Sequence, residues 1–320
     1  MRLARHHNPI ARVKSPRSWW SALGACVVFA ALVLLATSCS RPSPMHAGGP
    51  RIVALSPAVA VIVQRLGHES LIVGRHAYDL SLPKGIPIAG DQAGIDYEIL
   101  ISLQPTHVLT QWGSRELPER LRTLASEKGW TLYDASLLAL DDIPAATAHI
   151  DRLISLATVG NDSSPAGREL IAKMNGAWAV RGDFKKAGRV LLLASIDPPA
   201  ALGPGSFHHQ ILTRIGGTPA IMTGAAYIEL DREDIRAINP DVIVLIRPAS
   251  SPGADTRISG SSQADTTEAL AVIAPIADLP IRAAQNRRVH LITDPLALTP
   301  SPSMIEFADE LARILAEWSK

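Results

Sequence analysis

The segment Asp96-Tyr-Glu-Ile-Leu-Ile-Ser-Leu-Gln-Pro-Thr-His-Val-Leu109 recurs later in the chain as Asp231-Arg-Glu-Asp-Ile-Arg-Ala-Ile-Asn-Pro-Asp-Val-Ile-Val244. Both copies place an aspartate first, a glutamate third, aliphatic residues at the spacing of one helix face, and a proline tenth. Because proline ends a helix and β-favouring aliphatic residues follow it, each copy predicts a short helix and then a buried strand. A unit that occurs twice in one chain predicts two similar lobes.

The third residue of each copy is a glutamate, Glu98 in the first and Glu233 in the second. Equivalent positions in two similar lobes would present two equivalent carboxylates to a partner. A partner with two-fold symmetry offers the same surface patch twice, which suits such a pair. We therefore expect Glu98 and Glu233 to be docking residues.

Strands and helices alternate on both sides of this repeat. The predicted strands cover residues 51–55, 71–74, 86–88, 108–110, 131–133, 189–193, 242–245 and 289–292. This alternation predicts an α/β protein in which mostly parallel sheets are flanked by helices. We assign residues 51–140 to an N-terminal lobe, 141–187 to a helical connection and 188–320 to a C-terminal lobe.

The helical connection contains two predicted helices, at about 142–158 and 164–182, with no strand between them. The second helix contains two glycines, which lower its intrinsic stability by about 1 kcal/mol each, so packing has to hold it. A stretch rich in Ser, Gly, Thr and Asp at 249–267 predicts a mobile loop. A closing helix is predicted from residue 302 onward.

The N-terminus has the pattern of an export signal. Residues 1–18 carry five basic and no acidic residues, an apolar run covers 19–36, and small residues lead to Cys39. The segment 1–38 resembles a bacterial lipoprotein signal peptide, which implies a lipid on the thiol of Cys39. The alternative is an uncleaved membrane anchor, because the apolar run approaches the ~20 residues that span a bilayer. In either case a polar tether at 39–50 leads to a body in the periplasm or at the cell surface.

The charge balance and the positions of the cysteines indicate what kind of partner the body binds and how its fold is held together. The chain has 31 basic and 30 acidic residues, and five of the bases but none of the acids precede Cys39. The body is therefore mildly acidic, which argues against a nucleic-acid partner. Both cysteines, Cys26 and Cys39, lie ahead of the body. No disulfide is expected there, so the hydrophobic core has to hold the fold.

Six landmarks occur in the order found in one known family. They are Arg51-Ile-Val-Ala-Leu-Ser-Pro57, Leu103-Gln-Pro-Thr-His-Val-Leu109, Gly203-Pro-Gly-Ser-Phe207, Gly216-Gly217, Ile238-Asn-Pro-Asp-Val-Ile-Val244 and Arg288-Val-His-Leu-Ile-Thr-Asp294. With them, the chain from Arg51 onward resembles the class III periplasmic substrate-binding proteins, which deliver cobalamin, haem and ferric siderophores to ABC importers. The resemblance implies two α/β lobes bridged by one long backbone helix, with the cargo held between them. It also implies a monomeric carrier with only a small closing motion.

The same resemblance bears on the two glutamates. At the positions of Glu98 and Glu233, cobalamin-binding members carry acidic residues that pair with arginines on the two copies of the permease. A carboxylate binds an arginine through two charge-assisted hydrogen bonds, which fixes the register of docking. The implied partner is an ABC permease dimer, and the lipid on Cys39 would keep the body near the membrane.

Candidate ligand-binding residues lie in the loops after the predicted strands. Open α/β sheets bind ligands beyond the carboxyl ends of their strands. The resemblance places Tyr78, Trp112 and Tyr227 at, or within one residue of, positions where cobalamin-binding members set aromatic rings against the corrin. Flat rings offer a planar macrocycle a large contact area. We therefore expect these three residues to line the pocket.

Histidines in the same loops raise other kinds of cargo. His76, His208 and His209 are candidates for ligating haem iron, because imidazole is a suitable axial ligand. A bare divalent metal would need three or four converging ligands. His76, His209, Asp91 and Asp294 are candidates for that role, but at no diagnostic spacing. The residues therefore leave cobalamin, haem, a ferric siderophore and a divalent metal open as cargo.

Two other classes of function compete with the transporter subunit. A ligand-sensing lipoprotein would share the cleft but would have no use for paired glutamates. A surface-anchored hydrolase would need a catalytic centre. The chain has no Gly-x-Ser-x-Gly elbow, no His-Glu-x-x-His motif and no cysteine after Cys39. We therefore predict a binding protein and not an enzyme.

Overall fold

The computed structural model of the protein describes residues 49–113, 115–249 and 269–320. The predicted leader, Cys39 and nearly all of the predicted loop at 249–267 lie outside these residues. Within the described ranges, no helix is both long enough and apolar enough to cross a membrane.

Strands and helices alternate through the described residues. The strands are β1 (Ile52–Ala54), β2 (Ile72–His76), β3 (Ile88–Gly90), β4 (His107–Thr110), β5 (Thr131–Asp134), β6 (Arg189–Ile196), β7 (Pro199–Leu202), β8 (Thr218–Pro219), β9 (Tyr227–Glu229), β10 (Val242–Ile246) and β11 (Val289–Ile292). The helices are α1 (Pro57–Arg65), α2 (Tyr97–Ser102), α3 (Glu119–Lys128), α4 (Asp142–Thr158), α5 (Pro165–Ala177), α6 (Phe207–Arg214), α7 (Arg232–Ile238), α8 (Ala274–Ala277), α9 (Arg282–Gln285) and α10 (Met304–Trp318). Residues 269–272 are also helical.

The N-terminal lobe is built on a parallel sheet with the strand order β3-β2-β1-β4-β5. The central strands β1 and β4 are buried along their whole length, as parallel strands covered by helices require. After β1, the hydroxyl of Ser56 accepts a hydrogen bond from the N–H of Ala58, and Pro57 takes the first helical position of α1. The parallel sheet predicted for this lobe is confirmed.

The C-terminal lobe has a mixed sheet with the order β11-β10-β6-β7-β9, and β8 pairs with the start of β6. The strands β11, β10 and β6 are parallel, whereas β7 and β9 run antiparallel to their neighbours. The sequence did not indicate β7, β8 and β9, because they are short and two of them contain a proline, Pro199 or Pro219. Most strand pairs of this lobe are nevertheless parallel, as predicted.

The duplicated segment forms the same structure in both lobes. Asp96 and Asp231 cap the N-termini of α2 and α7 with their side chains. The residues before the two prolines, Gln104 and Asn239, have φ angles of 45° and 44°, in the left-handed region that non-glycine residues seldom adopt. The repeat therefore extends from the sequence to the backbone conformation.

An arginine ties the end of each repeated helix to the first strand of its lobe. In the N-terminal lobe, Nη2 of Arg51 donates to the carbonyl of Leu103 at 2.8 Å. In the C-terminal lobe, Nη2 of Arg189 donates to the carbonyls of Ile238 and Asn239 at 2.5 and 2.9 Å. Both arginines lie at the amino ends of the sheets, away from the ligand-binding edge that the sequence predicts.

The connection between the lobes contains both predicted helices. The longer is α4, with 17 residues and therefore a length of about 25 Å, and α5 packs beside it. The helix α5 ends at Ala177 and not near residue 182. Trp178, which follows the helix, is buried in the core, where its Nε1 donates to the carbonyl of Met304 at 3.3 Å.

One hydrophobic core runs through both lobes. It joins β1 and α1 of the N-terminal lobe to α4, α5 and α10, and then to β6 and β10 of the C-terminal lobe. Two further clusters include residues of α2 and α3 in the N-terminal lobe, and of α7 and α8 in the C-terminal lobe. The lobes are therefore held together by packing and not by a flexible linker.

Polar contacts also link the lobes next to α6. Arg214 holds Asp141 through two hydrogen bonds of 2.7 and 2.6 Å. Gln210 Oε1 accepts from the backbone N–H of Leu140 at 3.2 Å. These contacts place α6 of the C-terminal lobe against the loop that follows β5 in the N-terminal lobe.

Candidate ligand-binding site

The loop from β2 to β3 carries His76 and Tyr78 at the carboxyl edge of the N-terminal sheet. Tyr78 is 61% exposed. Its backbone N–H donates to His76 Nδ1 at 3.2 Å, and the centres of the two rings lie 5.8 Å apart. The structure thus brings these two predicted residues together and leaves the phenol ring accessible.

This hydrogen bond determines which nitrogen of His76 carries the proton. A backbone N–H can only donate, so Nδ1 accepts and the neutral ring carries its proton on Nε2. Burial lowers the pKa of His76, although a hydrogen bond to the backbone of Asp91 and the charges of Asp91 and Asp79 oppose this shift. Ligation of iron through Nε2 would require the proton on this nitrogen to move.

Trp112 follows β4 on the same edge of the sheet. Its backbone N–H donates to Asp134 Oδ1 at 2.7 Å, and the same oxygen accepts from Thr110 Oγ1 at 2.6 Å. The guanidinium of Arg115 lies 5.3 Å from the centre of the indole ring, a distance typical of a cation–π contact. Arg115 therefore covers one face of the Trp112 ring.

Tyr227 begins β9 in the C-terminal lobe, opposite Leu202 of β7. It is 55% exposed. Of the four tyrosines in the sequence, Tyr78 and Tyr227 are the two classed as exposed, one in each lobe. A flat ligand that covered these rings would remove their apolar surface from water, which would stabilise the complex.

His208 is a core residue, which corrects its prediction as a ligand contact. It is buried, its Nε2 lies 2.7 Å from the carbonyl of Ala297, and its ring packs edge-on against Phe307. Burial lowers the pKa of His208 to about 4, against a smaller opposing effect of the Ala297 hydrogen bond. The burial of His208 was indicated by the sequence, because His208 lies on the same helix face as Ile211 and Leu212.

His209 follows in the next helical position, about 100° around α6, and is half-buried. Its Nε2 lies 3.1 Å from the carbonyl of Ile221, to which it can only donate. Among the described residues, no group of three His, Cys, Asp or Glu is arranged to hold a metal ion. The convergence of His76, Asp91, His209 and Asp294 that a bare metal would need is therefore absent from the described part of the chain.

Glu98 and Glu233 take equivalent places in the two lobes. Each is the second residue of its helix, two positions after the aspartate that caps it, and each is exposed. Glu233 Oε2 lies 3.6 Å from Arg236 Nη1, an exposed pair of the kind that contributes little. Both carboxylates are therefore accessible to a partner, and their role in docking stays a prediction.

Sequence reasoning missed two buried charged residues close to Tyr78, one in β2 and one in the loop that follows it. Arg75 is 7% exposed and Asp79 is 5% exposed. A signal was available for Arg75, because it directly follows the apolar residues of the predicted strand at 71–74. A charge in such a place is costly unless it is hydrogen-bonded. Gln210, which bridges the lobes, was missed as well.

Comparison with known proteins finds similarity among solved structures. A scan against family models and a search of curated proteins give no match. The chain is similar to the periplasmic haem-binding protein RhuT from Roseiflexus sp. RS-1, with 20% identity, a TM-score of 0.60 and coverage of 85% of this chain and 100% of that chain. The vitamin B12-binding protein BtuF of Vibrio cholerae gives 17% identity and a TM-score of 0.59, covering 85% and 98%. The haem-binding protein HutB of Vibrio cholerae gives 17% and 0.62, covering 83% and 98%.

These similarities extend over nearly the whole length of each solved protein. At such low identity they establish the fold, and they confirm the architecture that the sequence predicts. The chain therefore has the two-lobed α/β fold of the class III periplasmic binding proteins.

Proposed function

We propose that this protein is an extracytoplasmic substrate-binding protein that captures cobalamin, haem or a ferric siderophore between its lobes and delivers it to an ABC permease. The observation that carries the proposal is the fold similarity, over 83–85% of the chain, to periplasmic proteins named for binding haem and vitamin B12. The duplicated glutamates add an independent reason. The protein acts as a carrier and not as an enzyme.

Three aromatic residues, of which Tyr78 and Tyr227 are exposed, support a bulky and flat cargo. Tyr78 and Trp112 lie on loops at the carboxyl edge of one sheet, and Tyr227 lies in the other lobe. Rigid aromatic rings supply contact area at a low cost in conformational entropy. A bare divalent ion is the weaker candidate, because it needs several converging ligands and the described residues contain no such group.

The two glutamates support delivery to a symmetric permease. Glu98 and Glu233 are exposed at equivalent helix positions in two lobes that share one hydrophobic core. Charge pairs at the rim of an interface mainly steer and orient the partners. Each carboxylate would meet an arginine of one permease subunit, so the cargo would be presented over the transport pathway.

The N-terminus supports a location outside the cytoplasmic membrane. A lipid on Cys39 would hold the protein in the periplasm or at the cell surface. The predicted tether at 39–50 has 12 residues, and a chain of that length reaches at most about 40 Å. The body would therefore stay close to the permease while keeping freedom to turn toward it.

A thermal-shift titration tests the cargo class. The body, residues 49–320, is titrated separately with haemin, cobalamin, a ferric siderophore and divalent metal ions. A cargo that binds only the folded state adds about 2.7 kcal/mol of stability at one hundred times its dissociation constant. Saturable stabilisation by one of the bulky compounds supports the proposal, whereas stabilisation by a divalent metal alone would show that the cargo class is wrong. The double variant Tyr78→Ala, Tyr227→Ala separates binding at the aromatic residues from nonspecific adsorption.

A further inference from the structure

The loop between β2 and β3 is folded around a buried guanidinium. Arg75 donates from Nε to the carbonyl of Ile86 at 3.1 Å. Its Nη1 donates to the carbonyls of His76 at 3.1 Å and Ala77 at 3.3 Å. Because His76 and Ala77 open the loop and Ile86 closes it, one side chain ties the two ends of the loop together.

A buried carboxylate organises the middle of the same loop. Asp79 Oδ1 accepts from the backbone N–H of Ser81 at 2.8 Å, from the Ser81 hydroxyl at 2.7 Å and from the N–H of Leu82 at 3.0 Å. Gln64 of α1 donates to the carbonyl of Ser81 at 3.0 Å, which anchors the loop to the core helix. Asp79 Oδ2 is buried without a hydrogen-bond partner among the described residues.

The residue that this framework presents is Tyr78. It stands between Ala77, whose carbonyl Arg75 binds, and Asp79, and it is the exposed aromatic residue of the loop. Burying a guanidinium and a carboxylate is costly. At the buried strand position of Arg75, an aliphatic side chain would pack without this cost. A loop that is ordered before binding spares the complex the entropy cost of ordering it. A loop held in place before the cargo binds would account for the two buried residues.

We propose that Arg75 and Asp79 are positioning residues, which order residues 76–86 in advance so that the Tyr78 ring stands ready for the cargo. The inference rests on the proposed function, because it takes Tyr78 as a cargo contact. Neither buried residue is assigned a contact with the cargo. Both act through Tyr78.

A double-mutant cycle on the full chain tests this inference. Arg75→Lys keeps the positive charge but loses the planar fork that reaches three carbonyls. The probes are haemin, cyanocobalamin and ferric ferrichrome, each followed by its absorbance. We expect Arg75→Lys to weaken binding about tenfold when Tyr78 is present and less than twofold in the Tyr78→Ala background, because changes that act through one contact are not additive. Asp79→Asn should show the same dependence on Tyr78, and it carries the test if Arg75→Lys does not fold.

The matched control is Arg51→Lys, which alters another arginine bound to a backbone carbonyl but at the opposite edge of the sheet. It should leave the affinity unchanged within twofold in both backgrounds. Equal losses with and without the Tyr78 ring, or no loss, would overturn the positioning role while leaving the proposed function intact. If the wild-type chain binds none of the three probes, the proposed function itself fails and this inference fails with it.

Discussion

Three histidines of this chain show how strongly one residue type depends on its surroundings. Nδ1 of His76 accepts a backbone N–H, whereas Nε2 of His208 and of His209 each donate to a backbone carbonyl. Half-buried or buried polar rings are normally satisfied in this way. Ligation of iron by any of them would use the remaining ring nitrogen or would break a backbone hydrogen bond.

We expect His208 to make the folded protein less stable below pH 6.5. Its pKa of about 4 in the folded state lies below its ordinary value, so the unfolded chain takes up the proton first as the pH falls. Stability is therefore complete above pH 6.5 and is lost progressively toward pH 4, by roughly 2–3 kcal/mol at pH 4.5. Urea unfolding at pH 7.5 and pH 4.5 measures this loss, which should be much smaller in His208→Leu.

The control for this pH effect is His149→Leu, at an exposed position on α4. That variant should lose as much stability as the wild type between the two pH values. If His208→Leu also loses as much as the wild type, other titrating groups cause the effect and the buried imidazole does not.

At the scale of elements, the junction of α4 and α5 depends on one buried carboxylate. Asp151 of α4 is 2% exposed and accepts from the backbone N–H and the hydroxyl of Ser164 at 2.8 and 2.6 Å. The Ser164 hydroxyl in turn caps α5 by accepting from the N–H of Gly167 at 2.9 Å. The cap of α5 is thus connected directly to the neighbouring helix.

We expect Gly167→Ala to destabilise the protein although alanine favours helices. A Cβ at position 167 would overlap the carboxylate of Asp151, which would have to leave Ser164. The lost buried hydrogen bonds outweigh a helix-propensity gain of about 1 kcal/mol, giving a net loss of about 1–3 kcal/mol in urea unfolding. Gly176→Ala is the matched control in the same helix, because its Cβ meets nothing within 4 Å, and it should gain up to about 1 kcal/mol. A gain in both variants would show that Asp151 does not restrict the packing of α5.

The elements could be predicted from the sequence where their hydrophobic pattern is local and continuous. The structure places β11 at the predicted residues and β10 within one residue of its predicted end. The end of α5 was predicted about five residues too late, and the chain directly after it is held by a contact between Trp178 and Met304, 126 residues apart, which no local pattern shows. The strand β7 was missed for the same reason, since its pairing with β9 joins two short segments that carry no pattern of their own.

The candidate site was predictable to a similar extent. The position of Tyr78 on a loop after a strand follows from the sequence, and so does its neighbour His76. The burial of His208 could have been predicted from its place on an apolar helix face. The framework of Arg75 could not, because it is completed by the carbonyl of Ile86, which only the folded loop brings near.

At the scale of the whole molecule, the shared core constrains how the lobes can move. The helices α4, α5 and α10 pack against residues of both sheets, and a large hinge motion would have to disrupt this close packing. The distance between α2 and α7 should therefore change little when cargo binds. A nearly fixed spacing is what a carrier needs if Glu98 and Glu233 are to meet two permease subunits at once.

Charge reversal at the two glutamates tests docking in the intact system. Glu98→Arg and Glu233→Arg would each place like charges against the arginines of the permease, which costs several kcal/mol at an interface. We expect each change to reduce cargo uptake by cells and the double change to abolish it, while cargo affinity of the purified chain stays within twofold of wild type. Uptake and binding together are the measurement, because a folding defect would lower both.

Glu119→Arg is the matched control for this experiment, since Glu119 is also exposed in the first turn of a helix but lies outside the duplicated segment. It changes the net charge by the same amount and should leave uptake near the wild-type rate. An equal effect of all three reversals would reflect net charge and not a docking site. Uptake that survives both Glu98→Arg and Glu233→Arg with binding intact would favour a ligand sensor over a transporter subunit, because a sensor has no permease to engage.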